Sequence, residues 1–320
     1  MDQLNKRRAV DILVGFAIGD AMGVPVEFCS REELARNPVT FYIGFGTHPV
    51  PPGTWSDDTS MTLATLDSFC SGLDYDDMMK KFCQWKDHGA YTATDQVFDI
   101  GITTEMALEQ YRLGKKPLEC GCCGESDNGN GSLMRIIPAV FYTRSRMNGA
   151  SLEEQLDVIH NVSALTHGHP RSKMACGIYF FVLNALLDNP HKRDAVSAGL
   201  KAAEVYYRGS NEFRSEYPFF ERLFSDHFRD TPEQEIRSSG YVVDTLEAAV
   251  WCVLNTDTYE DCILKAVNLG NDTDTIAAIA GGLAGCLYGR NGTNGISILL
   301  MRRLLGRKQI LALCKQFFEG

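Results

Sequence analysis

The chain has 320 residues, 44% of them hydrophobic and 22% charged, enough for one large core or two modest ones and ordinary for a soluble globular protein. Its formal net charge of −10 argues against a nucleic-acid backbone or an anionic membrane surface as the main partner, while leaving room for a small anion held by local donors. No apolar run reaches the roughly 18 residues of a membrane span; Ile276 to Tyr288 falls short, and the N-terminal MDQLNKRRAVDILVG, broken by Asp11, does not read as a signal peptide.

Helical periodicity dominates. A first helix is expected over Ala9–Val24, where Gly15, Gly19 and Gly23 stand four apart and line one face suited to close packing. Pro25 stops it and leaves Glu27 just beyond. FYIGFGTHPVPPG (41–53) is a Gly/Pro-rich loop, after which Ser56 begins a new helix with Leu63, Leu66 and Cys70 on one side.

Further helices are expected at Asp76–Trp85, Gln96–Arg112, Gly131–Tyr142 and Leu152–Leu165, the last opened by a capping box of Ser151 and Glu154. Then follow Arg171–Leu187, a helix after Pro190, Glu212–Phe228, Val242–Leu254, Tyr259–Leu269, Asp272–Tyr288 and two C-terminal helices. Alternation of period two is absent, and there is no internal repeat or low-complexity linker. The expectation is one compact all-α domain over 1–320, an orthogonal helical bundle.

Two acidic stretches open helices. In NDTDT, Asp272 and Asp274 stand beside Thr273 and Thr275 and precede the thin apolar run IAAIAGGLAG. In GTWSDDTS, Asp57 and Asp58 follow Ser56. Capping a helix needs one acid. A second acid flanked by hydroxyls at both helix starts is also what a paired Mg²⁺ or Mn²⁺ site would need, with Glu27 as a further carboxylate. An EF-hand is excluded, since counting from Asp272 the sixth residue is Ala277 and the twelfth Leu283.

The loop Asp127-Asn-Gly-Asn-Gly-Ser132 entering a helix can be an ordinary turn or an anion cradle; it is neither a Walker motif nor a dinucleotide fingerprint. THGHP (166–170) puts His167 and His169 on a loop between helices, and Tyr241 stands at a helix entry. The odd count of 11 cysteines, mostly single on apolar faces, fits buried thiols and a cytoplasmic location. Cys120-Gly-Cys122-Cys123 is the exception, without a second Cys or His pair at finger-like spacing.

Glu27 after GDAMGVPV, SDDTS, FDIGITT (98–104), GNGSLMR (129–135), THGHP, GYVVDTLEAAVW (240–251) and NDTDTIAAIAGGLAG (271–285) occur in one order. Together they resemble the ADP-ribosylglycohydrolase family, which includes the dinitrogenase-reductase-activating glycohydrolases, over about Ala9 to Gly289. The resemblance implies an all-α fold with two divalent cations, Mg²⁺ or Mn²⁺, that releases ADP-ribose from an ADP-ribosylated protein.

Carried over residue by residue, it implies Ser56, Asp57, Asp58, Asp272, Asp274 and Thr275 as metal ligands. Glu27 and Asp99 become the acid–base candidates, one on each side of the scissile bond. Asn130, Gly131 and Ser132 become the phosphate loop, and His167 and Tyr241 line the ADP-ribose cleft. The Cys-rich insert before the phosphate loop departs from the pattern, and Ser56 stands where many relatives have Thr. Arginine is the expected linkage. Serine-linked and O-acetyl-ADP-ribose substrates, a non-catalytic ADP-ribose-binding or structural member, and a metal-dependent phosphohydrolase use the same residues.

Overall fold

The structure, a computed structural model, describes residues 5–290 and 292–319. Met1–Leu4 of the N-terminal stretch lie outside them. In order, the helices are α1 Lys6–Gly23, α2 Arg31–Arg36, α3 Asp57–Cys70, α4 Tyr75–His88, α5 Ile102–Arg112, α6 Ile137–Arg146 and α7 Leu152–Ala164. They continue as α8 Pro170–Asp188, α9 Lys192–Gly209, α10 Val242–Leu254, α11 Tyr259–Val267, α12 Thr273–Tyr288, α13 Ile298–Arg303 and α14 Arg307–Glu319. Among the described residues there is no strand, only isolated bridges pairing Cys122 with His167 and Gly129 with Tyr241. The fold is an all-α bundle.

Its centre is the pairing of α1 with α12, the most extensive contact between any two helices. Small residues make it possible. A methyl group on Gly19 would fall 2.0 Å from the Ala277 carbonyl oxygen, and one on Gly23 2.3 Å from the Asp274 Cα. The glycine face of α1 is therefore in backbone contact with the first two turns of α12, and Thr273 Oγ1 donates to the Gly23 carbonyl at 2.8 Å.

The α1 region also corrects the membrane reading. Lys6–Val26 is long and apolar enough to cross a membrane by length and composition, but its apolar window is wholly buried in the fold.

Three expected helices differ. Glu212–Phe228 is a run of turns with a short 3-10 turn at Tyr217–Phe220 and a second beginning at Phe228. Phe213, Phe220, Leu223 and Phe228 are buried and mimic helical spacing, but Pro218 in the interior removes a donor and blocks the helix. The helix expected from Gln96 begins only at Ile102, because Asp99 adopts a left-handed conformation at φ 61°. The one expected from Gly131 begins at Ile137, where Pro138 occupies the first turn. Conversely, α2 is short and opened by a capping box of Ser30 and Glu33.

Candidate active site

The two acidic helix starts meet across the α1–α12 core. Asp57 and Asp58 open α3, and Ser56 caps it by accepting from the Asp58 amide at 3.3 Å. Asp272 is the N-cap residue of α12, and the Asp274 carboxylate accepts from the Thr275 amide at 2.9 Å. Oxygens of Asp58 and Asp274 lie within 4.8 Å of one another and of Asp20 from the last turn of α1.

A cavity of about 340 Å³ sits over these residues. Glu27, Asp57, Asp99, Asp272 and Thr275 line it, with Asn130, Gly131 and His167 beside them. Ser56, Asp58 and Asp274 are buried beneath.

The donor set fits a hard cation. Asp58 is fully buried with neither carboxylate oxygen hydrogen-bonded, and Asp272 Oδ1 and Asp274 Oδ2 are likewise buried without a partner. A buried unpaired carboxylate is costly unless a cation compensates it. Burial pushes the Asp58 carboxyl well up, and the neighbouring acids Asp20 and Asp57 push it further. Asp57 and Asp274 shift the same way, from burial first and then from Asp99 and Glu27 respectively. Asp272 is raised by burial, against a hydrogen bond from Asn130 Nδ2 at 2.6 Å.

Glu27 and Asp99 form a second group with His48, with ligand atoms within 4.8 Å of one another. His48 Nε2 is 2.6 Å from Glu27 Oε2. Burial pushes the Glu27 carboxyl up to about 7, opposed by the hydrogen bond to His48 and reinforced by Asp99 and Asp272. Two carboxylates flanking a water need about 6.5 Å or more between them. Glu27 and Asp99 each bring an oxygen closer than that, beside His48.

Strained backbone holds the rim. Phe28, Asp99 and Asn271 all have φ between 61° and 66°, a region non-glycine residues enter rarely and retain where surrounding contacts enforce it. Two bonds supply that enforcement: the Phe28 amide donates to Asn271 O and the Asn271 amide to Cys29 O, each at 2.7 Å. They fasten the turn carrying Glu27 to the one carrying Asp272.

The glycine loop closes the other side. The Asn130 amide donates to Gly240 O and the Val242 amide to Asn128 O, both at 3.0 Å. A Cβ on Gly131 would lie 2.9 Å from the His167 ring. Beneath, the fully buried Arg135 donates to Thr166 Oγ1 at 2.5 Å, and that hydroxyl is 2.8 Å from His167 Nδ1. Since Thr166 accepts from Arg135, its proton is free for His167 Nδ1, which leaves the ring proton on Nε2. Burial, then Arg135, push His167 down to about 3, so the ring is neutral.

Two expected residues lie elsewhere. Ser132 does not reach the cleft: it is fully buried, its hydroxyl accepting from Ser163 Oγ at 2.9 Å, because the turn after the loop tucks under the cavity. Tyr241 lines a separate surface depression of about 850 Å³ with Phe219 and Asp244, and its hydroxyl accepts from Arg171 at 3.1 Å. The Cys-rich insert braces the His167 loop, since the Cys122 amide donates to Thr166 O at 3.0 Å and Cys122 O accepts from the Gly168 amide at 2.8 Å.

Sequence reasoning missed Asp20 and His48. Asp20 carries a signal, an acid following the apolar run Ile12–Gly19 of a buried helix, whereas His48 lies in an irregular loop with no pattern to mark it.

The fold and the site together define an all-α protein with a carboxylate-lined cleft suited to hard cations. Comparison with known proteins gives the particular family: the ADP-ribosylglycohydrolase model matches residues 1–320. The chain is 35% identical to ADP-ribosylarginine hydrolase Tri1 of Serratia proteamaculans over 97% of its own length and 79% of that protein. It is 30% identical to ADP-ribosyl-[dinitrogen reductase] glycohydrolase of Rhodospirillum rubrum, over 88% of this chain and 86% of that one. A solved structure titled ADP-ribosylglycohydrolase-related protein complex superposes with a TM-score of 0.78 at 28% identity, covering 98% of each chain. The chain belongs to the ADP-ribosylglycohydrolase family.

Proposed function

We propose that the protein hydrolyses the N-glycosidic bond between C1″ of the distal ribose of ADP-ribose and the guanidinium of a modified arginine side chain. The observation that carries this is the set of buried, unpartnered oxygens on Asp58, Asp272 and Asp274 directly under a cavity walled by a glycine loop. The relatives named as arginine hydrolases support the choice of linkage.

Asp57, Asp58, Asp272, Asp274 and Thr275, with the Ser56 hydroxyl and Asp20 close by, would hold two divalent cations, Mg²⁺ or Mn²⁺. Bound there, the cations supply positive charge that orients the vicinal hydroxyls of the ribose. The loop amides around Asn130 and Gly131 and the Nε2 proton of His167 are donors suited to the diphosphate.

The reaction breaks the C1″–N bond and forms a C1″–O bond to water. Glu27, in contact with His48, sits where it can take the proton that water gives up. The leaving guanidine, a strong base, takes up one proton, so the products are ADP-ribose and unmodified arginine. Location in the cytoplasm remains part of the proposal, since the cysteines are free thiols.

The test is mass spectrometry of products from an arginine-modified protein incubated with the enzyme and Mg²⁺ or Mn²⁺. Intact ADP-ribose and an unmodified arginine are expected, with loss of turnover in Asp272→Ala. Release of AMP or phosphate, or unchanged turnover in that variant, would overturn the reading.

A further inference from the structure

The mouth of the cleft carries apolar side chains that the fold leaves uncovered. Phe28 and Ile102 both line the cavity, yet they are 69% and 78% exposed. Phe28 also holds a left-handed backbone at φ 66°, unusual for a bulky residue. It forgoes both an easy backbone and a buried ring, in the position immediately after Glu27. Phe45, on the loop that brings His48 to Glu27, repeats the combination at φ 56° and 69% exposed.

Glu27, which precedes Phe28, is in contact with His48, and the His48 ring lies 6.5 Å from that of Phe28. A modified side chain still attached to its protein must enter through the mouth of the cleft, where Phe28 and Ile102 are exposed. A guanidinium is planar, weakly hydrated and cationic, and an aromatic face next to carboxylates is a surface it binds. A serine hydroxyl has neither the charge nor the plane.

We propose that the exposed ring of Phe28, with Ile102 lining the same cavity, is the subsite for the acceptor side chain and selects a guanidinium over a neutral leaving group. This rests on the reading of the cleft as an ADP-ribosyl-arginine hydrolase site. The ring acts on the leaving group alone, so ADP-ribose itself does not depend on it.

The test compares wild type with Phe28→Ala, Phe28→Leu and Phe28→Tyr, measuring KM on ADP-ribosyl-arginine and ADP-ribose affinity by calorimetry. Phe28→Ala and Phe28→Leu should raise KM about tenfold, while Phe28→Tyr stays near wild type and ADP-ribose affinity changes less than about twofold in all three. Because the ring is exposed, melting temperatures should be unaffected. A KM for Phe28→Leu equal to wild type, or an equal loss of ADP-ribose affinity, would overturn the subsite. Wild-type protein that binds ADP-ribose but releases none from ADP-ribosyl-arginine would instead overturn the underlying reading, and the subsite with it.

Discussion

Asp20, in the last turn of α1, accepts hydrogen bonds from both the amide of Thr59, at 3.0 Å, and its hydroxyl, at 2.6 Å. Its other oxygen takes the Ser56 amide at 2.8 Å. One carboxylate thus caps α3 from a different helix and fixes the turn that presents Asp57 and Asp58. Burial pushes Asp20 up to about 6, and these hydrogen bonds pull against that rise.

Replacing Asp20 by Ala leaves three buried donors without partners, each costing about 1–3 kcal/mol. Asp20→Ala should lower the melting temperature by several degrees and weaken Mn²⁺ binding, since the α3 turn is no longer fixed. Thermal melts with and without Mn²⁺ check both; an unchanged melt would show that Asp20 does not cap α3.

The relation of Thr166 to His167 gives a second prediction. With Arg135 donating to the Thr166 hydroxyl, the His167 ring is held with its proton on Nε2. Thr166→Val keeps the shape and removes the relay, so ¹⁵N shifts of His167 should move from a single tautomer to a mixture. ADP-ribose affinity should fall about tenfold, in line with the loss of one charge-assisted donor. Thr166→Ser should retain both properties.

Much of this architecture is legible in the sequence. The glycines at 15, 19 and 23 announce a close helix pairing, and the doubled acids at 57–58 and 272–274 announce two loaded helix starts, because periodicity and capping chemistry are local. Which surfaces meet is not a local property. Ser132 turns inward to Ser163, and Asp99 enters the cleft on a left-handed turn rather than a helix. The segment around Pro218 has the apolar spacing of a helix and is held by tertiary burial in another form. His48 reaches Glu27 only through the path of the loop that leads into α3, which no pattern encodes.

The glycine face of α1 makes its own prediction. A methyl group on Gly19 would meet the Ala277 carbonyl group at 2.0 Å, and the opposing atoms are backbone that cannot rotate away. Gly19→Ala should therefore push α1 from α12 and destabilise the protein by about 1–3 kcal/mol or more. It should also weaken Mn²⁺ binding, because Asp20 and Asp274 ride on the two helices being separated. Denaturant unfolding and calorimetry measure the two effects.

His160 gives a pH dependence. It is buried in α7 with Nε2 2.9 Å from the Tyr207 hydroxyl, and burial, followed by Lys173, pushes its pKa from 6.5 down to about 3. Between those values the unfolded chain binds a proton that the native protein refuses. This contribution is fully present above about pH 6.5 and is lost as pH falls toward 3, with a slope of up to about 1.4 kcal/mol per pH unit. His160→Gln removes the titration, so unfolding free energy between pH 6 and pH 4 should fall less steeply than in wild type. Equal slopes would show that His160 takes up its proton without unfolding.

The orphaned oxygens of Asp58 predict opposite effects with and without metal. In metal-free protein the Asp58 carboxylate is buried, unpartnered and close to Asp20 and Asp274, so its charge opposes folding. Asp58→Asn keeps the size and removes that charge, and should raise the melting temperature measured in chelator. Wild type should gain about 2.7 kcal/mol for each Mn²⁺ bound at one hundred times its Kd, because the ion binds only the folded chain. Asp58→Asn should lose most of that gain and with it the activity. The crossing of the two variants' stabilities on adding Mn²⁺ is the signature of a carboxylate kept for a cation, since a residue kept for folding alone would weaken the protein in both conditions.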